Sequence, residues 1–411
     1  MTFSKNKNDI KVLLLEGVHE SALQTFQRSG YTNVEQVSSA LTGDALTKKL
    51  QTANIVGIRS STQLTEAVLK QSKSLFAVGC FCIGTNQVNK EAAALYGIPV
   101  FNAPYSNTRS VAELVIAQMI LLMRGIPEKN AKAHRGEWQK SATYSYEVRG
   151  KALGIIGYGH IGSQVSVLAE SLGLKVIFYD VENKLPLGNA NPVFSLSELL
   201  AQSDIVSLHV PETASTKNMM HQKTFAQMKD HSVFINASRG TVVDIDALVE
   251  VLQQGKLLGA AVDVFPIEPK SNADEFISPL IQFDNVLLTP HVGGSTVEAQ
   301  KNIGQEVAEK IVKYSDNGST VSAVNFPEAS LPLLHEGACR ILHVHHNQPG
   351  MMRLINRIFS ELEINIVGQY LQTNNDIGYV VMDIESTHDK ARTLLQQLRT
   401  IEGTIRVRVL F

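Results

Sequence analysis

Thirty residues in the middle of the chain, Lys151 to Asp180, constrain the fold more than any other stretch. They read KALGIIGYGHIGSQVSVLAESLGLKVIFYD. An apolar strand pattern runs into Gly157, Gly159 and Gly162, an amphipathic segment follows, and a second apolar run stops at Asp180. A GxGxxG string alone is weak. Set between a strand and a helix, with an acid eighteen residues after its last glycine, it reads as a dinucleotide site. Gly157 permits a tight turn, Gly159 lets the backbone approach a pyrophosphate, and Gly162 lets the helix pack closely on the sheet. The first helical turn then presents unpaired N–H groups to the phosphates. Asp180 is placed to bond the adenine-side ribose hydroxyls, and its charge disfavours a 2′-phosphate, so the expected cofactor is NAD rather than NADP.

The chain has 411 residues, too many for one typical domain. Apolar residues make up 44% and charged residues 18%, enough for a well-buried core. Lys plus Arg (37) nearly balance Asp plus Glu (39), which gives no argument for a nucleic-acid or membrane surface. The segment MTFSKNKNDIKVLLLEG lacks a signal-peptide apolar region, and no uncharged stretch is long enough for a membrane span. Cys80, Cys82 and Cys339 read as reduced, buried thiols, not as a disulfide framework or a metal cluster. The expected compartment is the cytoplasm.

The rhythm of apolar runs predicts an α/β chain. Strand patterns at 11–15, 34–37, 54–59, 75–79 and 98–101 alternate with helical ones at 43–51 and 86–96, as in a parallel sheet covered on both faces. Thr108 to Arg124 reads as a long apolar helix connecting two lobes. A second βαβ series supplies strands at 152–156, 175–179, 204–208, 232–235, 259–262 and 286–288, six in all, enough for a dinucleotide-binding sheet. A helix at 295–313 is expected to return to the first lobe. The pattern changes after Pro327 and Pro332. Strands at 338–346, 364–371, 377–385 and 403–410, with helices at 351–362 and 387–399, give βαββαβ, a ferredoxin-like split unit. The expected domains are a discontinuous first lobe (1–107 with 295–326), a dinucleotide-binding lobe (108–294), a linker (327–337) and a C-terminal module (338–411).

Three strand ends of the second lobe carry chemistry. The run 232–235 leads into Asn236-Ala237-Ser238-Arg239-Gly240, the run 259–262 into Asp263 and then Pro266-Ile267-Glu268-Pro269, and the run 286–288 into Thr289-Pro290-His291-Val292-Gly293-Gly294. Oxidation of a hydroxyl needs a base, and His291 can take and release a proton near neutral pH. Glu268 can orient that imidazole and raise its pKa. Arg239 can hold a carboxylate with two parallel bonds. On the residues alone, His291 also reads as a capping or core histidine, Glu268 as a surface acid in a rigid loop, and Arg239 as a structural ion-pair partner.

The motifs GYGHIG, SLHVPET, INASRG, AVDVFPIEP and LLTPHVGGST, with GCFCIGTNQV earlier and NQPGMM later, resemble those of the D-isomer-specific 2-hydroxyacid dehydrogenases, in the form that carries one C-terminal ACT domain. The likeness covers essentially the whole chain. It implies two Rossmann-like lobes plus the ACT module, and NAD-dependent oxidation of 3-phospho-D-glycerate to 3-phosphohydroxypyruvate, the first step of L-serine biosynthesis. Reduction of 2-oxoglutarate is an implied side activity. The resemblance places the catalytic arginine, glutamate and histidine on Arg239, Glu268 and His291. Its cofactor contacts fall on the glycine turn with His160 and Ile161, on Asp180, on His209, Pro211 and Thr216, and on Ala237, Ser238, Arg239, Asp263, His291, Gly293 and Gly294. Its substrate contacts fall on Arg59, Ser60, Asn107 and Arg239, with Lys140 contributed by a neighbouring chain. Arg59 also reads as an ordinary surface charge at a strand end. Trp138 reads equally as an interface residue and as a local core residue. The ACT module implies feedback inhibition by L-serine through His345, Asn347 and Asn365 at paired ACT domains of a homotetramer, although 347–350 also reads as a plain polar turn. Two other readings stay open here: a related dehydrogenase without the phosphate preference, and a non-enzymatic NAD-sensing corepressor on the same fold.

Overall fold

The computed structural model describes residues 6–269, 273–334, 339–385 and 388–411. They form two compact units, Met1–Ser106 with Gln300–Phe411, and Asn107–Ala299.

In the first unit, β1 (Val12–Leu14), β2 (Val34–Gln36), β3 (Ile55–Ile58), β4 (Ala77–Cys80) and β5 (Val100–Asn102) form a parallel sheet in the order β2-β1-β3-β4-β5. A parallel sheet is covered on both faces, so its central strands read as unbroken apolar runs. Every residue of β1, β3, β4 and β5 is buried. The long helix Val297–Asn317 sends Ile303, Val307 and Ile311 into the same core as Val12, Leu14 and Phe101. The helix expected over 86–96 is confined to Lys90–Leu95, because the Asn89 side chain accepts from Ala92 N (2.9 Å) and caps it there.

The same unit carries the C-terminal module. Here β13 (Cys339–His346), β14 (Ile366–Thr373), β15 (Ile377–Ile384) and β16 (Thr404–Leu410) pair antiparallel in the order β14-β15-β13-β16. Helices Met351–Glu361 and His388–Thr400 cover one face through Ile355, Phe359, Leu394 and Leu398. The other face packs Leu342, Val344 and Tyr379 against Phe326, Ala329 and Leu331. This is the expected βαββαβ order. Residue 338 of the expected first strand, 387 of the last helix and 335–337 of the linker lie outside the described residues.

In the second unit, β6 (Ala152–Ile156), β7 (Lys175–Tyr179), β8 (Asn191–Pro192), β9 (Ile205–Leu208), β10 (Ser232–Asn236), β11 (Leu257–Val262) and β12 (Val286–Leu288) form a parallel sheet in the order β12-β11-β10-β9-β6-β7-β8. The sheet has seven strands where the sequence suggests six. The extra one, β8, is two exposed residues at the edge, one of them proline, which an edge strand tolerates and which leaves no periodicity to read. Strand order reverses between β6 and β9, so loops leaving these two strands diverge and open a crevice. The apolar helix Thr108–Met123 lies within this unit and buries Val111, Val115, Met119 and Leu122 in its core.

Candidate active site

The crevice at the switch point is lined by the glycine turn. Gly157 has φ +91°, and a Cβ there would lie 2.5 Å from the His209 carbonyl oxygen. A Cβ on Gly162 would lie 2.2 Å from the Gly157 carbonyl oxygen and 3.0 Å from Ile155, so the helix seats against the turn and β6 only with glycine there. At Gly159 a Cβ would meet nothing within 4 Å. That open space faces the N-terminus of helix His160–Ser171, whose N-cap is Gly159 and whose first turn carries no side-chain cap. Uncapped N–H groups beside an open cradle fit a pyrophosphate. Asp180, at the end of β7, is held on both sides: Oδ2 accepts from Tyr158 N (2.7 Å) and Oδ1 from Glu182 N (2.9 Å).

Other expected cofactor residues line the same unit. His160 is exposed and Ile161 half-buried at the helix start. His209 follows β9. Its Nε2 lies 2.9 Å from Ser207 Oγ, its Nδ1 is buried with no partner, and burial pushes its pKa down to about 4. The loop after it is pinned by Thr216, whose hydroxyl donates to the Pro211 carbonyl (2.7 Å).

Strands β10, β11 and β12 are neighbours, so their carboxyl ends deliver three loops to one edge. His291 Nδ1 lies 3.1 Å and 3.0 Å from the two oxygens of Glu268. The proton therefore sits on Nδ1, and Nε2 carries the lone pair. The bond to Glu268 raises the histidine pKa above its ordinary value, against the opposing effect of burial. For Glu268, burial pulls upward, but the His291 bond, the Phe265 N–H and the Arg239 charge together hold the carboxyl below the usual range. Arg239 is thus close enough to act electrostatically on both partners, and its guanidinium donates to the Ser238 carbonyl (2.6 Å).

Several residues shape this edge without having been assigned that job from the sequence. Asp263, 1% exposed, accepts from Thr289 Oγ1 (2.6 Å), Val292 N (2.9 Å) and Gly293 N (2.9 Å). Its carboxylate therefore folds the loop that carries His291. Within that loop His291 adopts φ +54°, an uncommon left-handed conformation for a residue with a side chain. Asn236 Oδ1 accepts from Ser238 N (3.0 Å) and its Nδ2 donates to the Arg239 carbonyl (3.0 Å), which sets the Ala237–Arg239 turn. A Cβ on Gly240 would lie 2.0 Å from the Phe265 backbone, so only glycine lets the arginine loop and the glutamate loop meet. Asn236 and Gly240 stand inside INASRG, so the motif was visible while their work depended on loop packing.

The expected substrate residues divide between the units. Asn107 caps the space beside Gly294, where a Cβ would lie 2.4 Å from its Nδ2, and its Oδ1 is buried with no partner. Lys140 is exposed in the segment after helix Ile126–His134. Trp138, in the same segment, is 90% exposed, which excludes the local core role. Arg59 and Ser60 belong to the first unit, at the carboxyl end of β3. Cys80 and Cys339 are buried, whereas Cys82 is only half-buried, because it lies past the end of β4 in the loop. All three are free thiols.

In the C-terminal module His345 and Asn347 lie together, at the end of β13. His345 Nδ1 bonds the His346 carbonyl (2.7 Å), leaving Nε2 buried with no partner, and Asn347 Nδ2 donates to the Asn374 carbonyl (2.6 Å). Asn365 is not with them. The register pairs Ile366 with Ile384 and Ile384 with Cys339, at the opposite end of β13, six residues or about 20 Å from His345. One chain alone does not bring the three side chains together.

Comparison with known proteins agrees with this architecture. Residues 116–293 match the family described as D-isomer specific 2-hydroxyacid dehydrogenase, NAD binding domain, and residues 341–406 match the AHAS small subunit-like ACT domain. A D-lactate dehydrogenase from Aquifex aeolicus, solved with NAD and lactic acid, superposes with a TM-score of 0.64 at 26% identity, covering 74% of this chain and 95% of that one. The chain belongs to the D-isomer-specific 2-hydroxyacid dehydrogenase family, and its cofactor is NAD. Among its relatives are proteins named D-3-phosphoglycerate dehydrogenase from Haemophilus influenzae, 61% identical, and Escherichia coli, 60% identical, each over 99% of both chains.

Proposed function

We propose that this chain oxidises 3-phospho-D-glycerate to 3-phosphohydroxypyruvate with NAD, the entry to L-serine biosynthesis. The observation that carries the reading is the His291–Glu268 pair at 3.0 Å beside Arg239, in a chain so like the named relatives over its full length. When bound along the glycine turn and Asp180, NAD supplies the hydride acceptor. Nε2 of His291 takes the hydroxyl proton, and Glu268 stabilises the imidazolium that forms. Arg239 turns its fork of donors to the substrate carboxylate. Asn107 Oδ1, an orphaned buried acceptor, is satisfied by a substrate hydroxyl. Arg59 and Ser60 take the phosphate, with Lys140 of a second copy adding charge. The same chemistry run backwards on 2-oxoglutarate is the side activity.

The ACT domain supports control by a small molecule. L-serine is the effector that fits: imidazole and amide groups of His345, Asn347 and Asn365 engage both ammonium and carboxylate. Because Asn365 sits at the far end of the sheet, a site using all three draws on two copies. The edge strand β14 exposes Val367, Tyr370 and Leu371, which supports paired ACT domains within a homotetramer. The free thiols suit a reducing cytoplasm.

The test is a coupled assay comparing 3-phosphoglycerate with 2-hydroxyglutarate, each with and without serine, in the intact enzyme and in His291→Ala. The expected result is a clear preference for the phosphorylated acid, inhibition by serine, and a loss of about 100-fold or more in turnover in the variant with NAD affinity within about threefold. Equal loss of turnover and NAD affinity refutes the role given to His291.

A further inference from the structure

At the carboxyl end of β1, Glu16 departs from ordinary geometry. It is a side-chain-bearing residue at φ +61°, a conformation that needs a local reason. The turn aims its carboxylate across the top of the sheet at the loop leaving β3, the strand beside β1. There Oε1 accepts from Arg59 N (3.2 Å) and Thr62 N (2.8 Å), and Oε2 accepts from Ser61 N (2.9 Å). Ser60, at the exposed tip, is left out of this clamp.

The carbonyl of the same residue, Arg59, is held from the loop that follows β4. Gln87, 7% exposed, donates its Nε2 to the Arg59 carbonyl (2.6 Å) and to the Gly84 carbonyl (3.2 Å). The backbone of Arg59 is therefore pinned at its N–H by Glu16 and at its carbonyl by Gln87.

We propose that Glu16 is a positioning residue for phosphate recognition: by gathering the N–H groups of Arg59, Ser61 and Thr62, it shapes the loop so that the Arg59 side chain and Ser60 project together as one anion receptor. This rests on the reading of Arg59 and Ser60 as the phosphate site. A carboxylate so near such a loop would oppose an anion if it pointed outward. Here its oxygens are spent on three backbone donors, which spread its charge and turn it away from the ligand. A glutamine cannot replace it fully. Its single oxygen can accept two of the bonds, and its NH2 group meets the third N–H donor to donor.

The experiment uses the full-length enzyme and three variants, Glu16→Gln, Gln87→Leu and Arg59→Ala, assayed with 3-phosphoglycerate and with D-glycerate, the same acid without phosphate. Glu16→Gln should raise KM for 3-phosphoglycerate about tenfold with kcat and the KM for NAD within about twofold, and should leave kcat/KM for D-glycerate near that of the parent. Gln87→Leu should move KM in the same direction. If Arg59→Ala does not raise KM for 3-phosphoglycerate, the loop is not the phosphate site and the underlying reading fails. If Arg59→Ala raises it while Glu16→Gln does not, the clamp alone is wrong. A Glu16→Gln enzyme that loses the same factor on both substrates has a general structural defect, and positioning for phosphate is refuted.

Discussion

Replacing Glu268 by glutamine keeps the shape of the His291 partner and removes its charge. Two unit charges 3.0 Å apart attract by about 1.4 kcal/mol in the dielectric of water and by about 5.5 kcal/mol at an effective value near 20. The His291 and Glu268 side chains are 50% and 37% exposed, so solvent screening keeps the pair near the lower figure. Losing that attraction lowers the histidine pKa, because the Glu268 bond is the main cause that raises it. Burial and the Arg239 charge, both of which oppose protonation, remain in the variant and do not restore it. His291 must be neutral at Nε2 to accept the substrate proton, so kcat/KM rises with pH through its pKa. The acid limb of the kcat/KM profile, followed by NADH formation from pH 5.5 to 9.5, should therefore move toward acid in Glu268→Gln. On the plateau the rate should fall by about 10- to 100-fold, because the imidazolium is no longer stabilised and its tautomer is less firmly held. An acid limb that stays in place or moves toward alkali, or a plateau equal to that of the parent, would refute the coupling of these two side chains.

Asp180→Ala removes the anchored carboxylate that accepts from Tyr158 N and Glu182 N; the preference for NAD over NADP, measured as a ratio of kcat/KM, should shrink by about tenfold or more, and an unchanged ratio would remove that role. Asn347→Ala should weaken serine inhibition by about tenfold or more while turnover without serine is retained, and full inhibition in the variant would reject the site. Burial pushes His343 down to about 3, with its Nε2 beside Thr404 Oγ1 at 2.9 Å. It is neutral in the fold and protonated in the unfolded chain below pH 6.5, so its contribution is present above that pH and is lost as pH falls toward 3. At pH 5 the loss is about 2 kcal/mol. Urea unfolding at pH 7 and pH 5 should show it, and a His343→Gln protein with an undiminished pH dependence would contradict it.

What could be read from the chain follows from periodicity. Runs such as Ile55–Ile58 and Ile205–Leu208 are apolar because both faces of a parallel sheet are covered, and the change to βαββαβ after Pro332 follows from the shift to antiparallel pairing. The two-residue strand Asn191–Pro192 had no such signal, since a proline-bearing edge pair owes its existence to its neighbour. The glycine turn was legible because Gly157 and Gly162 are demanded by contacts within about fifty residues of chain. Arg239, Glu268 and His291 were legible as residue types at three strand ends, and the parallel order of β10, β11 and β12 made their meeting predictable.

Other features belong to the tertiary structure alone. The carboxylates of Asp263 and Glu16 each gather three donors from loops that are distant in sequence, and no local pattern distinguishes such an acid from a surface one. The exposure of Trp138 and the separation of Asn365 from His345 depend on packing and on strand register. The sequence by itself determined which segments become strands and which residue types reach their ends, because periodicity and steric demand are local. Only the folded chain decided which side chains are spent on holding loops and which are left to meet a ligand, because hydrogen bonds are allotted by three-dimensional proximity.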